Sequence, residues 1–195
     1  MTAPAQDPRA PGGRRARRTL VLIALVVAAP VLLSYGFYYF APPGRFTNYG
    51  ELLATQPFPA MRGTRVSDGA AVDVASLRGR WVVVVAAPAA CDEACAKVLY
   101  ATRQARTIQG KESDRVQRVW LATGPGRLPR ELIAEHPDLL VLRTADEAAA
   151  ALPKGADAIH LVDPIGNQVL AWPRDPDIKA MAKDLGRLLK ASRIG

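Results

Sequence analysis

From Thr19 to Gly44 the chain carries no charged residue, and Arg9, Arg14, Arg15, Arg17 and Arg18 stand just before that stretch. No other feature limits the architecture as much. As a helix, Leu20 to Ala41 is about 33 Å long, enough to cross the hydrocarbon core of a bilayer. Pro30 falls inside it, which a membrane helix tolerates better than a soluble one. Tyr35, Phe37, Tyr38, Tyr39 and Phe40 cluster at the far end, where amphipathic rings suit a membrane interface. The stretch is long for the core of a secretory signal, and no clear small-x-small cleavage site precedes Pro42-Pro43, so an uncleaved anchor is expected. The positive-inside rule holds the arginines in the cytoplasm, which places everything after Gly44 outside a bacterial inner membrane, in the periplasm.

What remains has room for one domain of about 150 residues. With 49% hydrophobic residues and only 2 cysteines, the chain is neither disordered throughout nor a disulfide-rich miniprotein. Its net charge of +8 raises the question of a nucleic-acid partner. Five of the 26 basic residues but only one acid, Asp7, precede the apolar stretch, which leaves +4 for the rest. No basic stripe with interleaved aromatics appears there, so no nucleic-acid partner is expected.

The expected division is a basic cytoplasmic segment (1–18), a transmembrane helix (19–41), a proline-rich tether (42–60) and a domain (61–195). Thr64–Val66 and Val72–Val74 flank Asp68-Gly69 as a hairpin. Trp81 to Ala86 is unbroken apolar and β-branched, as a central strand buried on both faces requires. Val98, Leu99, Thr102, Ala105 and Ile108 mark an amphipathic helix ending near Gly110. Strands are expected at Val116–Thr123, Leu139–Leu142, Ala158–Val162 and Gln168–Trp172, with a short helix from Pro129 to Glu135. An alanine-rich helix with capping-box spacing starts at Thr144, and a last helix capped by Asp175-Pro176 turns Lys183, Arg187 and Lys190 toward solvent. This order of elements is α/β with a mixed central sheet. Trp81, Trp120 and Trp172 are read as core or rim packing at strand ends.

Cys91 and Cys95 lie four positions apart, where the strongest strand's loop meets a helix. Residues i and i+4 share a helix face, so the pair can form a disulfide or hold a soft metal together. A helix N-terminus lowers the pKa of Cys91, making it the attacking sulfur, while Asp92 and Glu93 oppose that effect. Redox or metal chemistry and an inert bridge both remain open. His160, inside a strand, is a third candidate metal ligand or a hydrogen-bonded core histidine. His136, before Pro137, is expected to be solvated.

Three segments carry a family resemblance: D-G-A-A-V-D-V-A-S-L-R-G-R-W-V-V-V-V, C-D-E-A-C, and H-L-V-D-P-I-G-N-Q-V-L. Together they resemble the Sco/SenC proteins, and more closely the Sco-like transmembrane proteins found with oxidase assembly factors in some proteobacteria. The resemblance covers most of residues 61 to 191 in order of elements. It implies a thioredoxin-like fold and a role in cytochrome c oxidase assembly, with an oxidase subunit or another assembly factor as partner. The C-x-x-x-C pair, Cys91 and Cys95, would act as a thiol–disulfide oxidoreductase or carry copper, the one candidate cofactor. A binding module whose cysteines only staple a loop is the alternative. The pattern departs at three places: Gly155 stands where the family has its histidine, the prolines around the cysteines are absent, and no proline occupies Lys154–Asp157, the loop that faces the cysteines in disulfide-exchanging thioredoxins.

Overall fold

The computed structural model describes residues 13–40 and 48–192. They form two units, one built on helix α1 (Gly13–Phe40) and one beginning at Asn48. Arg15–Phe37 within α1 is a 23-residue stretch whose mean hydropathy reaches 2.5, and Pro30 does not end the helix. At about 34 Å it is long and apolar enough to span a membrane. Ala41 and Pro42-Pro43, the expected anchor end and tether start, lie outside the described residues.

The second unit holds strands β1 (Glu51–Pro57), β2 (Arg62–Arg65), β3 (Ala71–Asp73), β4 (Trp81–Pro88), β5 (Val116–Thr123), β6 (Leu139–Arg143), β7 (Ala158–Val162) and β8 (Asn167–Pro173). They make one mixed sheet in the order β1-β8-β7-β4-β5-β6-β2-β3, in which only β4, β5 and β6 run parallel. Helices α2 (Glu93–Thr107), α3 (Arg130–Ala134), α4 (Asp146–Ala150) and α5 (Ile178–Ala191) flank it. The β2–β3 hairpin turns at Gly69, whose φ of +74° suits a residue without a Cβ.

Strand β4 is central because both of its faces are apolar. Trp81, Val83, Val85 and Ala87 pack with Val98 and Leu99 of α2 and Met181 and Leu185 of α5. Val82, Val84 and Ala86 pack on the other side with Phe58, Met61, Val72 and Leu121. Burying one such aliphatic side chain contributes about 1.5–3 kcal/mol, so removing the central strand would cost the fold both cores.

Some expectations give way. Glu51–Pro57, inside the expected tether, pairs antiparallel with β8, and the second unit starts at Asn48 rather than near Met61. The stretch E-L-L-A-T-Q-P has no buried face to mark it. It is recruited by the backbone groups along the edge of β8, which need partners. α4 begins at Asp146 with no side-chain cap, because the Thr144 hydroxyl donates instead to the Arg62 carbonyl at 3.0 Å. α5 is capped by Asp177, two residues beyond Asp175, its carboxylate accepting from the Ala180 N–H at 2.8 Å. α2 ends at Thr107 rather than near Gly110. The three tryptophans are all buried, Trp120 well inside β5 rather than at its end.

Candidate functional site

The parallel strands β4 and β5 end at the same edge of the sheet where the antiparallel β7 begins. Three loops therefore meet there: Ala89–Asp92, Gly124–Leu128 and Lys154–Asp157. The first two are tied by the Ala89 N–H, which donates to the Thr123 carbonyl at 2.7 Å. Gly126, at φ +136°, sits so close that a Cβ would come within 3.1 Å of the Ala90 Cβ. Arg143 steadies that loop by donating to the Gly126 carbonyl at 3.1 Å. In the third loop two consecutive carbonyls are held from below and beside: Gly155 by Nε2 of His160 at 3.0 Å, Ala156 by Arg174 at 2.8 Å.

Cys91 and Cys95 form a disulfide at this edge, with Cα atoms 5.4 Å apart. Cys91 lies just before the helix rather than in its first turn, because Asp92 is the N-cap and its carboxylate accepts from the Cys95 N–H at 2.8 Å. The two sulfurs are not equivalent. Cys95 is fully buried in the α2 core, whereas Cys91 packs against its margin, partly open to solvent. An attacking thiolate can reach only the Cys91 side directly. Beside it a groove of about 750 Å³ runs along α2 to the start of α5, with Asp92, Glu93, Lys97, Arg174 and Asp175 in its lining.

His160 is not part of this group. Its neighbours Ile159 and Leu161 point into the core with Cys95, so strand alternation sends its ring to the opposite face, 6.5 Å from the ring of Phe58. Burial pushes its pKa below the ordinary 6.5, with the Gly155 carbonyl opposing the shift. The bond fixes Nε2 as the protonated nitrogen of a neutral ring, leaving Nδ1 buried without a partner. His136 is buried, not solvated; burial first, then Arg118 and Arg103, lower its pKa. Nearby, Arg118 is buried under α2 and donates to the Leu99 carbonyl at 2.7 Å, to Thr102, and to both oxygens of Asp138.

Sequence reasoning missed three parts of the site: the capping role of Asp92, the packing of Gly126 on Ala90, and the two side chains holding Gly155 and Ala156. Asp one position before a helical run is a recognisable capping signal, and Gly124-Pro125-Gly126 a recognisable turn. Nothing local points to Arg174 or His160 as loop anchors.

The family model for the transmembrane-like, thioredoxin-like C-terminal domain matches residues 81–192. Solved structures share the fold. Copper-bound ScoI of Arabidopsis thaliana is 18% identical, covering 70% of this chain and 100% of its own, with a TM-score of 0.59. Apo Sco1 of Thermus thermophilus is 22% identical over 76% of this chain and 98% of its own, TM-score 0.56. The thioredoxin domain of a thiol-disulfide oxidoreductase from Bacteroides vulgatus is 21% identical over 70% and 99%, TM-score 0.52. No curated protein sequence matches the chain. At these identities the structural likenesses establish a thioredoxin-like fold.

Proposed function

The chain belongs to the family of transmembrane-like, thioredoxin-like C-terminal domains, and from that premise we propose that it is a membrane-anchored factor of cytochrome c oxidase assembly acting by thiol–disulfide exchange through Cys91 and Cys95. The observation that carries this reading is the asymmetry of the disulfide: Cys91 faces solvent between loops, and Cys95 is sealed behind it. The pathway comes from the Sco/SenC-like segments around that pair. In this reading α1 is the single anchor, its arginines stay in the cytoplasm, and the domain works in the periplasm of a bacterium, where disulfides persist.

In the exchange, the reduced Cys91 thiolate attacks a disulfide of an oxidase subunit or another assembly factor, forming a mixed disulfide and expelling one partner thiolate. Cys95 then attacks the Cys91 sulfur, expels the second partner thiolate and restores the intramolecular disulfide. Two electrons and two protons pass to the partner. The same steps in reverse oxidise a partner dithiol.

The residues present do not fit copper well. Among the described residues no group of three His, Cys, Asp or Glu could hold a metal ion. Reduction would free two thiolates, but the imidazole of His160 is on the other face and bonded to Gly155, the position where the resemblance would place a histidine. Exchange is therefore preferred over copper delivery, and no step is routed through copper.

A Cys95→Ser chain tests the proposal, since it cannot resolve a mixed disulfide. Expressed in cells and quenched with acid, it should accumulate a covalent adduct that reductant releases and that Cys91→Ser abolishes. If no adduct forms and oxidase activity survives loss of both cysteines, the disulfide is a staple and the domain a binding module.

A further inference from the structure

The outer face of α5 has no role in the chemistry above, yet it gathers four basic side chains. At about 100° per residue, Lys179, Lys183, Arg187 and Lys190 fall within an arc of about 80°. That arc lies directly opposite the side chains that enter the core, among them Met181, Leu185 and Leu189. The helix's single acid, Asp184, is buried and outside the arc; there it accepts from the Trp172 indole at 3.2 Å and lies 3.8 Å from Arg187. Lys179, Lys183 and Lys190 are exposed and make no ion pair among the described residues. The groove beside them holds one acid, Glu112, already paired with Arg115. At the start of the helix stand Asp175 and the cap Asp177, with Asp92 and Glu93 lining the groove that Ile178 shares.

The Gly50 N–H donates to the Asp184 carboxylate at 2.9 Å, and the Asp177 N–H donates to the Tyr49 hydroxyl at 2.9 Å. The first residues of the domain are thus fastened to α5 itself. Gly50 has to be glycine for this, since a Cβ there would collide with Leu170 and Trp172. The helix that holds the start of the domain is the helix that carries the basic stripe.

We propose that this face of α5 docks on anionic phospholipid headgroups of the bilayer that α1 crosses. A row of cations along about 16 Å of helix matches a flat, negatively charged surface, and attraction of this kind accumulates with each cation brought near it. Docking this way turns the helix N-termini, and the disulfide with them, along the membrane plane toward a partner embedded in the same bilayer. The proposal rests on reading α1 as an anchor and not on the exchange chemistry.

The test uses the full chain reconstituted in nanodiscs of phosphatidylcholine alone or with phosphatidylglycerol, and lysine acetylation rates read by mass spectrometry. Lys179, Lys183 and Lys190 should react about fivefold more slowly in the anionic discs. Lys97 and Lys154 should not change, and about 0.5 M salt should remove the difference. Equal rates in both discs overturn the proposal and leave the stripe to an acidic protein partner; slowing that is the same in both, or insensitive to salt, overturns it as well. Retention of the chain in the discs through an alkaline wash tests the anchor separately, so failure of one reading is not mistaken for failure of the other.

Discussion

The two faces of the central sheet each carry an apolar core but are chemically unlike. On the α2 and α5 face the core runs up to the disulfide and ends there, with Cys95 inside and Cys91 at the rim. On the other face the one group of comparable chemistry, His160, is sealed among Phe58 and the valines of β4 and bonds only a backbone carbonyl. Cysteine and histidine are separated by a single step of strand parity. Had Ile159 or Leu161 been the histidine, its ring would enter the same core as Cys95. Access to solvent here follows from where a side chain emerges, and residue type alone is a poor guide to it.

The largest effect should come from breaking that contrast. Cys91→Ser should reduce exchange with a partner disulfide to the uncatalysed background, whereas His160→Gln should leave the rate within about twofold, because an amide can still donate to Gly155. Stopped-flow or thiol-labelling kinetics on the full chain in detergent would measure both. A His160→Gln chain as inactive as Cys91→Ser would mean that the far face takes part in the chemistry.

Much of this contrast was legible in the sequence, for identifiable reasons. Trp81–Ala86 has no polar position, so its central placement follows from burial on both faces; the limits of the strands at Val116–Thr123 and Ala158–Val162 emerge as read because polar or glycine-rich segments bound them. The cysteine pair was visible because spacing and context coincide at one loop. Other features depend on tertiary partners that leave no local trace. β1 is ordered by the edge of β8, Thr144 is drawn from its cap by Arg62, and His136 is buried although it precedes a proline in a loop. The position of His160 was legible, while the side of the sheet it faces required β7 to be set against β4.

Next in size is Arg118. Its guanidinium ties α2, through Leu99 and Thr102, to Asp138 before β6, and burial lowers its pKa while Asp138 opposes the shift. Arg118→Ala empties a buried site and removes the hydrogen bonds to Leu99 and Thr102, while the partly exposed Asp138 keeps Arg106 at 3.6 Å; it should cost about 3 kcal/mol in urea unfolding of the full chain. His160→Leu, which removes one neutral hydrogen bond from the opposite face, should cost about 1 kcal/mol. Similar losses at the two sites would show that the faces are equally dependent on their polar groups. Smaller still and more local is Asp92→Ala, worth about 1 kcal/mol through the lost cap. Hydrogen exchange should register it first at the Cys95 amide, which loses its acceptor, before any amide of β7 responds.

The finest distinction is in pH dependence, because each face buries one histidine held below the ordinary 6.5: His160 by burial alone, His136 by burial and by the cations Arg118 and Arg103. In both, the unfolded chain binds the proton more readily than the folded one. Their contribution to stability is therefore complete above about pH 6.5 and is lost as the pH falls from there toward the depressed folded values. Thermal unfolding between about pH 8 and pH 5 should show that decline, and His160→Gln and His136→Gln should each flatten part of it without abolishing it. If salt flattens only the part assigned to His136, its cationic neighbours are responsible, since Coulombic repulsion is screened and desolvation is not. A decline unchanged in both variants would assign it to carboxylates instead, and the two faces would then be alike in their response to acid.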